Sequence, residues 1–144
     1  MKLSDKGRAL LIELEGKRNH AYQDVVGLRT IGVGHLIKPG EDMAYLTDEQ
    51  VDELLTKDLL DFEVAVDVCV DVKLNQNEFD ALVIFAFNVG KEAFRKSTLR
   101  QVINRSEFAE VPKQLMRWNK SGGKVVAGLT NRRKKEIEIW EGVA

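Results

Sequence analysis

Thr47-Asp48-Glu49-Gln50 has the form of a helix-capping box, and behind it Val51, Leu54, Leu55, Leu59, Phe62, Val66 and Cys69 recur at helical spacing for about six turns. This run constrains the fold more than any other, because a helix of that length exceeds what one small core needs and is suited to bridging two lobes. The chain has 144 residues, enough for one ordinary globular core and short for two independent ones. With two prolines, Pro39 and Pro112, and no Ser/Gly-rich linker or repeat, any subdivision is made by helices and not by a flexible hinge.

The pattern differs on the two sides of this helix. Leu10, Leu11 and Leu14 share one helical face between Ser4, a fitting N-cap, and Gly16, a fitting stop. Tyr22, Val25, Val26, Thr30, Ile31 and Val33 are β-formers broken by Gly27, Gly32 and Gly34, which predicts short antiparallel strands with tight turns. No other stretch reads strongly as strand. After the long helix, Asn75-Gln76-Asn77-Glu78 repeats the capping logic ahead of Phe79, Leu82, Val83, Phe85, Ala86 and Phe87. Apolar on nearly every side, this segment predicts a buried central helix ending near Gly90. Shorter helices are expected after Ser97, Ser106 and Thr130, with a loop at Ser121-Gly122-Gly123.

Composition removes several classes. A content of 44% hydrophobic and 31% charged residues excludes a disordered chain, and the single Cys69 excludes an internal disulfide. That thiol reads as core filler in a reducing compartment. No apolar run approaches the ~20 residues of a membrane-spanning helix, and the start of the chain lacks a signal-peptide stretch, so a soluble protein made in the cytoplasm is expected. Twenty-two basic and 23 acidic residues argue against attachment to nucleic acid by bulk charge. His20 and His35 have no Cys or suitably spaced His partner, so neither a metal site nor a cofactor is expected. The near-neutral total conceals a division: residues 1–110 hold 14 basic and 20 acidic groups, residues 111–144 hold 8 and 3.

The candidate chemistry falls in the segment from Glu15 to His35. It places a carboxylate at a helix end, a second nine residues later at Asp24 and a hydroxyl six residues on at Thr30. Inverting glycoside hydrolysis needs a protonated acid on the leaving oxygen and an ionised base holding a water on the opposite face, about 6.5–9.5 Å apart; a retaining enzyme needs about 5–5.5 Å. Spacing alone does not distinguish this trio from chance pairs among 23 acidic residues. Gly32 and Gly34 read as tight strand geometry and not as a phosphate cradle, since no third glycine or helix start follows.

Glu15-Gly16, Gln23-Asp24 and Thr30-Ile31-Gly32-Val33-Gly34-His35 together resemble the phage-type lysozymes, the endolysins related to the T-even phage lysozyme. Phe87-Asn88-Val89-Gly90, Arg117-Trp118-Asn119 before a Gly-rich turn, and Gly128-Leu129-Thr130-Asn131-Arg132-Arg133 with Glu136 extend the resemblance over nearly the whole chain. It implies a mainly α, α+β lysozyme-like fold: a small antiparallel β element in an N-terminal lobe (about 14–50), a connecting helix (about 47–71) and an all-helical C-terminal lobe (about 72–144), with 1–13 packing on the latter. It further implies a monomeric hydrolase of the β-1,4 bond between N-acetylmuramic acid and N-acetylglucosamine in bacterial peptidoglycan.

On that resemblance Glu15 is the general acid, a role that requires it protonated near neutral pH, for which partial burial is the usual means. Asp24 is the base or electrostatic partner, Thr30 helps hold the attacking water, and inversion is expected. Gly32, Asn88, Trp118 and Arg132 are carried over as substrate contacts. For Asn88 a bond to an acetamido group and a bond to backbone both stay open, as do core packing and cleft closure for Trp118. His35 is expected to pair structurally with Asp58. Some relatives carry an N-terminal export anchor, whereas this chain begins at its first helix. It is therefore expected to accumulate in the host cytoplasm, to insert in no membrane, and to reach the periplasmic wall through a separate holin. Two alternatives are a non-catalytic peptidoglycan-binding protein of the same fold and a small helical nucleic-acid binder using Arg132-Arg133-Lys134-Lys135. Glu136, Glu138 and Glu141 alongside that basic run favour charge pairing on a helix instead.

Overall fold

The computed structural model of the protein describes residues Met1–Val143. Its elements are α1 (Asp5–Glu15), β1 (Arg18–Gln23), β2 (Arg29–Gly32), β3 (His35–Leu36), α2 (Asp48–Cys69), α3 (Gln76–Val89), α4 (Lys91–Lys96), α5 (Thr98–Asn104), α6 (Val111–Met116), β4 (Lys120–Ser121), β5 (Lys124–Val125) and α7 (Ala127–Trp140). The fold is α+β, with one small antiparallel sheet near the N-terminus, a 22-residue helix and a mostly helical remainder. Two compact units divide the chain, one formed by Arg8–Leu60 and the other by Met1–Gly7 together with the chain from Asp61 onward. Their boundaries fall inside α1 and α2.

In the unit Arg8–Leu60, the sheet has order β1-β2-β3. Tyr22 pairs with Thr30 and Gln23 with Arg29, and a bulge separates these pairs from Arg18↔Gly32. Ile31 then pairs with His35 across a turn made by Gly32, Val33 and Gly34. Val25 and Val26, expected in a strand, lie exposed in the β1–β2 turn. The carboxylate of Asp24 caps that turn and Gly27 adopts φ +86°, so local turn chemistry overrides the β propensity of two valines. The capping box opening α2 is reciprocal: Gln50 N donates to Thr47 Oγ1 (3.1 Å) and Thr47 N donates to Gln50 Oε1 (2.9 Å).

In the helical unit, every side chain of α3 from Phe79 to Ala86 is buried, as the all-round apolar pattern predicts. Around it pack α4 and α7, with α6 against α7. Three features escape the sequence pattern. Helix α4 has too few apolar residues to show a period. Helix α7 starts at Ala127 and not after Thr130, because its N-cap, Val126, makes no side-chain bond and leaves no capping signal. The stretch expected as a loop in an all-helical lobe is a two-stranded ribbon, with Lys120↔Val125 and Ser121↔Lys124 in register. Gly122 (φ +59°) and Gly123 (φ +80°) supply the two positive-φ positions of its turn.

The N-terminus is fastened by buried carboxylates. Asp80, 2% exposed, accepts from Ser4 N (3.0 Å), Ser4 Oγ and Gln76 Nε2 (2.8 Å). Ser4 Oγ in turn accepts from Gly7 N (3.0 Å), capping α1 as its position predicts. Residue 7 is glycine for a steric reason: a Cβ there lies 2.8 Å from Asp80 Oδ2. Glu63, also buried, accepts from Leu3 N at 2.7 Å. Asp80→Ala removes the acceptor of three part-buried donors, Ser4 N, Ser4 Oγ and Gln76 Nε2, and is expected to lower unfolding free energy by about 2–4 kcal/mol, read from urea denaturation.

Candidate active site

Asp24 and Thr30 are positioned by one backbone unit, Leu28. The Leu28 carbonyl accepts from both Asp24 N (2.8 Å) and Thr30 Oγ1 (3.0 Å). Leu28 N in turn donates to Asp24 Oδ1 (2.8 Å), which also takes Val26 N (3.0 Å). One carboxylate oxygen of Asp24 is thereby committed to the turn, while Oδ2 has no hydrogen-bond partner among the described residues. Thr30 is 3% exposed, and its single hydroxyl proton goes to Leu28, so the oxygen faces anything else as an acceptor.

Glu15 is the last residue of α1, half-buried, and Gly16 (φ +78°) ends the helix behind it with Gly16 N on Ile12 O at 2.8 Å. Its carboxylate lies against the β2–β3 turn: a Cβ on Gly34 is 3.3 Å from Glu15 Oε1. Gly34, at φ +71°, thus serves both the turn and the close approach of the acid. Gly32, expected as a substrate contact, is buried at φ +66° against Val51 and Leu54, where it shapes the turn.

His35 is 7% exposed, and its Nδ1 lies 2.7 Å from Asp58 Oδ2. The structure adds a second carboxylate that the sequence reading missed: Glu41 Oε1 is 3.1 Å from His35 Nε2 and accepts from Lys38 N. The Lys38 backbone N–H, then His35, hold Glu41 below the usual carboxylate range. The signal available was Pro39-Gly40, a turn that brings Glu41 back on Lys38. His20 instead packs against Tyr45 at a tilt, with ring centroids 4.8 Å apart. No cluster of His, Cys, Asp and Glu suited to a metal ion occurs among the described residues.

In the helical unit, Asn88 is exposed near the end of α3, and its side-chain oxygen accepts from Arg133. Trp118 packs edge-on against Phe85 (5.4 Å between centroids) and also lines a cavity of about 280 Å³ with Thr98, Gln114 and Arg117. Arg132, expected as a substrate contact, and its neighbour Arg133 are both buried. Arg132 is 8% exposed and donates to Ile84 O (3.1 Å) and Glu136 Oε2 (3.3 Å). Arg133, fully buried, pairs with Glu136 at 2.9 Å and sits over the Phe85 ring. Burial pushes the Arg133 pKa down and Glu136 opposes that. Two of the four bases of the run 132–135 are therefore spent inside the fold, which removes the basic strip on which a nucleic-acid reading rests.

The Phage lysozyme family model matches residues 12–136, and the chain belongs to that family. Among its relatives, the endolysin of Bacillus phage B103 is 39% identical over 142 residues, covering 97% of this chain and 54% of that protein. The endolysin of Salmonella phage P22 is 38% identical over 144 residues, covering 97% and 98%. The chain thus spans about half the length of the Bacillus phage relative. Among solved structures, the muramidase domain of SpmX from Asticaccaulis excentricus superposes with a TM-score of 0.87 at 36% identity, over 96% of this chain and 97% of that one.

Two outcomes follow from the site. Gly34→Ala introduces both a strained φ and a contact with Glu15, and is expected to cost about 1–3 kcal/mol of stability, measured by thermal unfolding. Because the Glu41 pKa is lowered from 4.5 in the folded state, its stabilisation is present above that value and is lost as pH falls through the folded one. The melting-temperature gap between wild type and Glu41→Gln is accordingly expected to be full at neutral pH and to close in acid.

Proposed function

We propose that the chain is an endolysin-type muramidase that hydrolyses the β-1,4 bond between N-acetylmuramic acid and N-acetylglucosamine in peptidoglycan. The observation that carries this reading is the shared Leu28 carbonyl. A water that donates one hydrogen to Asp24 Oδ2 and the other to Thr30 Oγ1, an acceptor because its own proton is on Leu28, has its lone pair left for the anomeric carbon. In that scheme water attacks the carbon from the side opposite the leaving oxygen, the glycosidic C–O bond breaks, Glu15 gives its proton to the leaving oxygen and Asp24 takes one from the water. The product is the inverted anomer.

Asn88 and Trp118 are proposed as substrate contacts in the helical unit, and Arg132, Gly32 and the His35–Asp58 pair as residues that hold their surroundings in place. No described helix is long and apolar enough to cross a membrane. Synthesis in the host cytoplasm, with access to the periplasmic wall through a separate holin, belongs to the same reading.

The test is clearing of purified peptidoglycan with reducing ends counted. Glu15→Gln and Asp24→Asn are each expected to lose at least about 10²-fold in kcat. Thr30→Val, which keeps shape but removes the acceptor, is expected to lose about tenfold, the kinetic equivalent of one hydrogen bond. Wild-type clearing by Glu15→Gln overturns the mechanism and favours a wall-binding protein; a retained anomer by nuclear magnetic resonance overturns the water-attack step alone.

A further inference from the structure

The edge of β1 that faces away from β2 carries two aromatic rings that the core does not use. On one side of β1 lies β2, where Thr30 pairs with Tyr22. On the other lies the segment 44–46: His20 bridges Tyr45, Ala21 N donates to Ala44 O (3.0 Å) and Leu46 N donates to Asn19 O (2.8 Å). His20 and Tyr45 are both exposed, Tyr45 at 55%, and their rings meet at a tilt of 55°. With Asn19, Thr47, Asp48 and Glu49 they line a hollow of about 750 Å³. All six residues belong to the unit Arg8–Leu60.

The polar groups of this hollow are mostly acceptors with capacity to spare. Both amide hydrogens of Asn19 are committed, to Leu46 O and to Asp48 Oδ1 (each 2.9 Å), so its Oδ1 is left to accept. Asp48 Oδ1 also holds Lys17 Nζ at 3.0 Å. Asn19 and then Lys17 keep Asp48 below the usual carboxylate range. Asp48 Oδ2 and the Glu49 carboxylate have no partner among the described residues. A ligand that fits brings hydroxyl donors for these oxygens and an apolar face for the two rings. A cation fits less well, because Lys17 already sits on Asp48 and repels a second positive charge. A pyranose has both requirements, with hydroxyls around its rim and C–H bonds on its face.

We propose that this edge of β1 is a carbohydrate-binding site apart from Glu15, Asp24 and Thr30. It holds one pyranose of an uncharged glycan against the Tyr45 and His20 rings, with the sugar hydroxyls donating to Asn19, Asp48 and Glu49. The proposal does not rest on the muramidase reading, since it requires no bond to be cleaved.

The test is a titration of the whole chain with cellotetraose, an uncharged β-1,4 glucan without acetamido groups. Ring protons of His20 and Tyr45 and the side-chain NH2 of Asn19 are followed by nuclear magnetic resonance, and they are expected to shift together and to saturate. Tyr45→Ala is expected to raise Kd about tenfold, whereas Tyr45→Phe, which keeps the ring, stays within about threefold of wild type. Should Tyr45→Ala fail to fold, His20→Ala takes its place. Glu49→Gln keeps an acceptor without its charge and is also expected to stay within about threefold. Binding is expected to persist in about 1 M salt, where exposed charge interactions are screened. The tetramer of glucosamine serves as the cationic comparison. Ring shifts that appear with that tetramer alone, and vanish in salt or in Glu49→Gln, assign the hollow to cations and overturn the proposal. Absence of ring shifts with cellotetraose overturns it as well, as does an unchanged Kd in folded Tyr45→Ala.

Discussion

The helical unit is organised around charges that it does not expose. Arg133 and Glu136 are each wholly buried, and either alone in that environment costs several kcal/mol, so each requires the other. Their directional contacts do what apolar packing cannot. Apolar side chains along α7 such as Leu129 and Ile139 tolerate sliding, whereas Arg132 on the carbonyl of Ile84 and Arg133 on Asn88 fix the register of α7 against α3 at two points. The arginines that look like surface charge in the sequence are thus the pins of the unit.

The β-containing unit solves its positioning problem with neutral backbone. A single carbonyl, that of Leu28, ties the end of β1 to the start of β2, and a side-chain-capped turn holds Asp24 in place without a charged partner. Glu15 comes from a different element, α1, and its carboxylate lies beside the turn where Gly34 leaves room. The trio is therefore built from a helix end, a turn and a strand, two of its members sharing the Leu28 carbonyl.

What the sequence made legible follows from how each feature is encoded. The long helix, the central buried helix and the caps at Ser4, Thr47 and Asn75 are written in periodicity and in short-range side-chain chemistry. The trio of Glu15, Asp24 and Thr30 stands out only through family resemblance, since its spacing alone is not distinctive, and its role is part of the proposed function. The Leu28 carbonyl was invisible because any residue supplies one. Burial of Arg132 and Arg133 was equally hidden: a helical Arg-Arg-Lys-Lys run reads as solvated until the facing helix is known. The β4–β5 ribbon was missed because two polar residues per strand give no alternation to detect.

That ribbon has a consequence for how such chains diverge. Its described main-chain bonds close on the ribbon itself and on the adjoining Val126–Asn119 pair (2.9 Å), and Lys120–Gly128 are exposed throughout. Residues added at the Gly122-Gly123 tip alter the length of a solvent-facing finger and leave the α7 register intact, so the segment is where insertions can accumulate in descendants, or be grafted by design, while the fold that carries the chemistry stays unchanged.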